Sequence, residues 1–150
     1  MRVKLVLKVK KIKEPFLHLV YQLINIIFMK KILIIEDEEI LLDLIQKRLT
    51  QEGYKIYIAR NGEEGLEKIK EEKPDLILLD IVMPKMGGFE VMERINKDKE
   101  FKDIPIIIIS NSGQPVELSR AKELGIKDWL IKTDFDPSEV VGKVKKQLNN

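Results

Sequence analysis

Asp75-Leu76-Ile77-Leu78-Leu79-Asp80 decides the fold: an uninterrupted apolar run between two acids, too short for a helix and apolar on both faces of an extended chain. Ile32-Leu33-Ile34-Ile35 and Ile106-Ile107-Ile108-Ile109 have the same character. A strand that is apolar at every position must be covered on both sides, which is the situation inside a parallel sheet flanked by crossover helices. These runs are therefore the expected centre of the sheet. Tyr54-Lys55-Ile56-Tyr57, with its charge and phenols, and the brief run after Lys127 suit the two edges, where charge and shortness discourage stray pairing. The expected strands are Lys31 to Glu36, Tyr54 to Ala59, Asp75 to Asp80, Ile104 to Ser110 and Lys127 to Lys132. The expected class is α/β, a doubly wound five-stranded parallel sheet.

The segments between these runs carry helix signals. Ile40, Leu41, Leu44, Ile45 and Leu49 recur at helical spacing, and Gly53 stands where a left-handed C-terminal cap belongs. Asn61 with Glu64 resembles a capping box opening a helix through Leu66 and Ile69 to about Glu72, which Pro74 closes. A third helix is expected from about Phe89 through Val91, Met92 and Ile95, and a weaker fourth from near Pro115 to Gly125. Asp136-Pro137-Ser138-Glu139 opens the last, with an N-cap followed by proline at the first helical position. No repeat, low-complexity tract or second apolar core is present in the sequence, so no effector domain is expected within it.

A chain of 150 residues, 44% of them hydrophobic, is enough for one domain with its own core. It has no cysteine, which excludes disulfides and thiolate metal sites and fits a reducing cytoplasm. The formal charge of +2 is unevenly spread. Residues 1–28 carry Arg2, Lys4, Lys8, Lys10, Lys11 and Lys13 against Glu14, a balance of +5, which leaves −3 for the other 122 residues. That acidic body gives no electrostatic footprint for nucleic acid.

The first 28 residues differ from everything after them: a basic run is followed by an apolar stretch from Phe16 to Phe28. The stretch falls short of the roughly 20 apolar residues that cross a bilayer, and His18, Gln22 and Asn25 interrupt it. Three readings stand open. Met29-Lys30-Lys31 begins a first strand without lead-in, so residues 1–28 read as a dispensable or mis-assigned extension ahead of a domain spanning residues 29–150. The charge order also fits a membrane-surface or partner-binding arm. A secretory signal has this order too, but no small-residue cleavage site follows.

In open parallel sheets ligands bind outside the carboxyl ends of the strands. Those ends deliver Glu36 and Asp37 from the first expected strand, Asp80 from the third, Ser110 from the fourth and Lys132 from the fifth. Any one of them alone reads as a solvated strand end or a cap; mutually complementary groups at four ends are hard to ascribe to chance. Clustered carboxylates raise each other's pKa unless a cation compensates, and an all-oxygen site favours Mg²⁺. With such an ion Asp80 stays ionised and can attack phosphorus, Lys132 can offer a second positive charge to the transferred group, and Ser110 can donate a hydrogen bond to a phosphoryl oxygen.

Ile34-Ile35-Glu36-Asp37-Glu38, Leu78-Leu79-Asp80-Ile81-Val82-Met83-Pro84-Lys85-Met86-Gly87-Gly88, Ile109-Ser110 and the run from Lys122 to Lys132 together resemble the response-regulator receiver domain. The resemblance covers Met29 to Leu148 in order. It implies a flavodoxin-like (βα)5 sheet ordered 2-1-3-4-5, with Asp80 phosphorylated and Glu36 and Asp37 holding Mg²⁺. The carbonyl of Val82 would be a further ligand, and Ser110 and Trp129 the hydroxyl and aromatic members of a switch. That switch would reshape the face formed by the domain's fourth helix, fifth strand and fifth helix. The implied partners are a histidine kinase or phosphotransfer protein as donor and a downstream protein target. Thr133 stands where the family usually has proline with a cis peptide, and Asn111 where a very small residue is common.

Other candidates read as structure. Trp129 by itself is a packing residue, His18 lies in the N-terminal segment, and Met83 and Met86 are filler. Gly87-Gly88 lacks the Lys-Ser or Lys-Thr of a P-loop and reads as a flexible turn before a helix. A phosphohydrolase with an aspartyl nucleophile usually has a second Asp two residues on as general acid; here that position is Val82. A receiver that serves only as a binding module is the other rival, yet no member of the chemical set is missing.

Overall fold

The structure, a computed structural model, describes residues 13–111, 113–126 and 128–149. Residues 1–12 of the N-terminal segment and Lys127, the expected start of the fifth strand, lie outside the described residues. In chain order the elements are α1 (Glu14–Phe28), β1 (Lys31–Ile35), α2 (Glu39–Gln51), β2 (Lys55–Ala59), α3 (Gly62–Glu72), β3 (Leu76–Asp80), α4 (Gly88–Asn96), β4 (Ile106–Ser110), α5 (Pro115–Glu123), β5 (Asp128–Ile131), a 3₁₀ turn (Lys132–Asp134) and α6 (Pro137–Leu148). The strands pair in parallel in the order β2-β1-β3-β4-β5. This is the doubly wound order expected, with both edge strands where charge and brevity put them.

The all-apolar strands are explained by their two faces. Ile32, Ile34, Leu76, Leu78, Ile107 and Ile109 pack on Leu41, Ile45 and Leu49 of α2 and on Val140, Val141 and Val144 of α6. Alternate residues Leu33, Ile35, Ile77, Leu79 and Ile108 pack on Ile69 of α3, Val91, Met92 and Ile95 of α4, and Ala121 of α5. Each fully buried leucine or isoleucine contributes about 1.5–3 kcal/mol of transfer free energy. Two layers of such contacts fix the sheet's register from both sides.

Several strand ends lie inside the expected limits. At β4 the pairing starts at Ile106, because Pro105 has no N–H to give and the Ile104 amide is spent in a turn on the Phe101 carbonyl at 3.1 Å. At β1 it stops at Ile35; the Glu36 amide still reaches the Ala59 carbonyl at 3.0 Å, but its side chain leaves the ladder for the rim of the sheet. Gly53 has φ +91°, the left-handed cap anticipated for α2. At the end of α3 it is Lys73, with φ 48°, that turns the chain, one residue before Pro74. The Asn61 side chain accepts from the Glu64 amide at 2.9 Å, and Glu64 reaches back to the Arg60 amide at 2.9 Å, a capping box displaced by one residue.

Gly88 has a sharper role than a flexible turn. A Cβ there would lie on the backbone carbonyl oxygen of Asp80 and 3.0 Å from the Cα of Ile81, while the Gly88 amide donates to the Ile81 carbonyl at 2.9 Å. Gly62 is equally tight, its missing Cβ 2.6 Å from the Met86 carbonyl. The loop after β3 is thus clamped between the first turns of α3 and α4, and Asp80 is held from behind. Among the described residues no peptide bond is cis, the Lys132–Thr133 bond included. None of the described helices is long and apolar enough to cross a membrane.

Candidate functional site

The strand register sets the rim. Ile35 lies level with Leu79, so Glu36 emerges level with Asp80; Asp80 pairs with Ile109, placing Ser110 one step on, and Ser110 pairs with Ile131, placing Lys132 one step further. Staggered ends of neighbouring parallel strands thereby bring remote residues to one corner. Carboxylate oxygens of Glu36, Asp37 and Asp80 all lie within 4.8 Å of one another. Glu36 and Asp80 are buried, Asp37 exposed.

Lys132 reaches into this cluster with a side chain only 8% exposed. Its Nζ lies 3.0 Å from Glu36 Oε1, 2.8 Å from Glu36 Oε2 and 3.1 Å from Asp80 Oδ2. Backbone amides add to the hold: Glu38 donates to Glu36 Oε1 at 2.9 Å, and Val82 to Asp80 Oδ1 at 3.3 Å. Glu36 Oε2, although at ion-pair distance from Nζ, is buried and accepts no hydrogen bond from the described residues.

The charges do not balance. Burial pushes the carboxyl groups of both Glu36 and Asp80 above the usual range, and the hydrogen bonds and charge of Lys132 offset this only in part. Burial acts on Lys132 in the direction of neutrality, yet its hydrogen bond to Glu36 and the charges of Asp80 and Glu36 outweigh that, so its pKa rises. The carboxyl groups rise because they are buried and the lysine because two carboxylates face it; with both carboxylates ionised, the single ammonium leaves one negative charge over. An excess of negative charge over the single ammonium and a donor set made only of oxygen fit a hard divalent cation.

Ser110 is buried at the end of β4. Val82 is 70% exposed just beyond Asp80. Trp129 stands apart from the rim: it pairs with Ile108 within the ladder and packs, half-buried, on the core layer of α3, α4 and α5, with its Nε1 buried and lacking a hydrogen-bond partner among the described residues. Sequence reasoning missed Glu38, whose Oε2 lies 3.7 Å from Lys132 Nζ as a third carboxylate near the lysine. Its position two residues after Glu36 at a strand end was the available signal. The clamp at Gly88 was missed as well, because a glycine pair does not reveal which backbone approaches it.

Comparison with known proteins places these features in a family. The model of the response regulator receiver domain matches residues 32–145. The alkaline phosphatase synthesis transcriptional regulatory protein PhoP of Bacillus subtilis (strain 168) is 39% identical over 116 residues, covering 77% of this chain and 47% of that protein. The chain thus spans about half the length of the curated relatives it matches. Among solved structures, a response regulator from Chloroflexus aurantiacus J-10-fl superposes with a TM-score of 0.76 at 28% identity, covering 81% of this chain and 99% of that one. The chemotaxis protein CheY4 of Vibrio cholerae gives 0.75 at 28% identity, covering 80% and 99%. With the sheet order, the strand-end residues and a family match spanning the whole sheet in agreement, the chain belongs to the response-regulator receiver domain family.

Proposed function

We propose that Asp80 accepts a phosphoryl group from a phosphohistidine of a histidine kinase or phosphotransfer protein, in a magnesium-dependent reaction, and that the product signals through protein contact. The observation that supports this most is the placement of the Asp80 carboxylate: buried at the end of the central strand, 3.1 Å from Lys132 and within 4.8 Å of the Glu36 and Asp37 carboxylates. Residues 29–150 form the signalling unit in this reading, and the chain works in the cytoplasm, a reducing compartment that a cysteine-free sequence suits.

Each residue has a role. Receiver domains hold Mg²⁺ in an acidic cluster, and here Glu36, Asp37 and Asp80, with the Val82 carbonyl, would hold it. The ion supplies positive charge that offsets repulsion between the carboxylates and the incoming phosphoryl oxygens. The Asp80 oxygen attacks phosphorus, the phosphorus–nitrogen bond of the donor breaks with its electron pair returning to the imidazole, and an acyl phosphate is left on Asp80. Lys132, already beside Asp80, pairs with the transferred oxygens, and Ser110 donates to one of them. Ser110 and Trp129 then couple phosphorylation to the face of α5, β5 and α6. The domain is a signalling module and not a turnover enzyme: Val82 offers no proton to a leaving group. The transcriptional role in the Bacillus relative's name concerns that longer protein.

Incubation with Mg²⁺ and a small acyl phosphate or phosphoramidate, followed by intact-mass measurement, tests this reading. One phosphoryl group should be gained, stable in acid and lost in base, and it should be absent with chelator and in Asp80→Asn. An adduct that forms unchanged in Asp80→Asn would show that another residue is the acceptor; sustained multiple turnover of an aryl phosphate would show a phosphohydrolase.

A further inference from the structure

The receiver reading leaves α1 without a task. It is a 15-residue helix that buries none of its residues. Exposure is high at Phe16 (57%), Leu19 (54%), Leu23 (50%), Ile26 (54%) and Ile27 (74%), which at 100° per residue share one face of the helix. Glu14, His18 and Asn25 fall on the far side, Gln22 borders the apolar face and touches His18 at 3.5 Å, and Tyr21 and Phe28 are exposed beyond the face's other edge. A contiguous apolar face of this kind on an isolated domain marks an unfilled interface.

The charge around the helix says what fills it. Every ionisable side chain from Arg2 to Lys13 is basic, Lys30 and Lys31 follow the helix, and Glu14 is the sole acid in residues 1–28. We propose that α1, with the basic residues on either side of it, anchors the chain in the plane of an anionic lipid surface. A helix of this length spans about 22 Å, less than the roughly 30 Å hydrocarbon thickness, so it lies in the interface and does not cross it. Each lysine or arginine near such a surface strengthens binding about fivefold. Against a second copy of the chain the same basic runs would face each other and repel. The anchor also leaves the chemistry accessible: α1 ends at Phe28, just ahead of the amino end of β1, whereas Glu36, Asp80 and Lys132 gather at the carboxyl ends.

Co-sedimentation of the full chain with vesicles tests this. Vesicles containing phosphatidylglycerol should retain the protein at low salt, and vesicles of phosphatidylcholine alone should not. The exposed-face double variant Leu19→Glu/Leu23→Glu should bind about a hundredfold more weakly, with an unchanged thermal transition and unchanged phosphorylation at Asp80. Charge reversal at Lys10→Glu/Lys11→Glu should weaken retention about 25-fold or more. Failure to bind anionic vesicles, or equal retention of the double variant, overturns the proposal. So does a self-associated species in sedimentation velocity that Leu19→Glu/Leu23→Glu disperses while vesicle binding is absent, since α1 would then serve a second copy.

Discussion

Lys132→Ala is expected to lower the unfolding free energy by about 3–5 kcal/mol at neutral pH in the absence of divalent cations, the largest effect of any single substitution at the rim. The substitution does not merely delete an ion pair. It leaves the carboxylates of Glu36 and Asp80, both buried and both in contact with the lysine, with no compensating charge. Urea unfolding measures the loss. The deficit should narrow in acid, where the carboxyl groups take up protons and the uncompensated charge disappears. Mg²⁺ should recover more stability in the variant than in the wild type, because the ion then supplies the only positive charge in the pocket. An unchanged unfolding midpoint at neutral pH would mean that water, and not Lys132, stabilises these carboxylates.

Asp80→Asn should act in the opposite direction, raising the stability of the metal-free protein by about 1–2 kcal/mol at neutral pH, or about 3–8 °C in Tm. The sign comes from the proton balance. Burial lifts the carboxyl pKa values of Asp80 and Glu36 above their ordinary values, so the folded protein holds protons that the unfolded chain has released. Below the ordinary carboxylate range both states are protonated and no penalty exists. As pH rises through that range towards the raised values, the wild type loses stability, and above them the penalty is complete. Asp80→Asn removes one of the two charges and leaves Lys132 paired with Glu36. The advantage of the variant should therefore vanish in acid and grow towards neutral pH. Saturating Mg²⁺ should reverse the ranking, since it binds the folded wild type far better. Thermal unfolding across pH, with and without the ion, checks both statements, and a variant less stable than the wild type at every pH would contradict them.

Much of this protein was legible because its central strands are apolar at every position. Leu76 to Leu79 and Ile106 to Ile109 can be satisfied only between two helical layers, and parallel pairing then forces their carboxyl ends, with Asp80 and Ser110, onto one rim. What was not legible depends on which backbone meets which. The displaced capping box at Arg60, the left-handed Lys73 and the approach of Gly88 to the Asp80 carbonyl come from tertiary contacts that no local pattern encodes. Glu38 was overlooked because its distance to Lys132 depends on the turn that brings the lysine back across the sheet. The stretch after Lys13 does carry a helical pattern, Glu14, His18, Gln22 and Asn25 recurring three or four residues apart, but reading it only as a membrane span, a signal or a surface arm left that pattern unread. The coordinates add that Phe16, Leu19 and Ile27 are exposed.

Three carboxylates share one pocket with a single lysine ammonium, and a magnesium ion would supply the remaining positive charge. Isothermal titration of Mg²⁺ into the metal-free wild type and into Asp37→Asn tests this most directly. One ion should bind per wild-type chain, and the exposed Asp37 should prove a ligand, its replacement weakening binding about tenfold or more. Absence of saturable binding to the wild type, or an affinity untouched by Asp37→Asn, would contradict it.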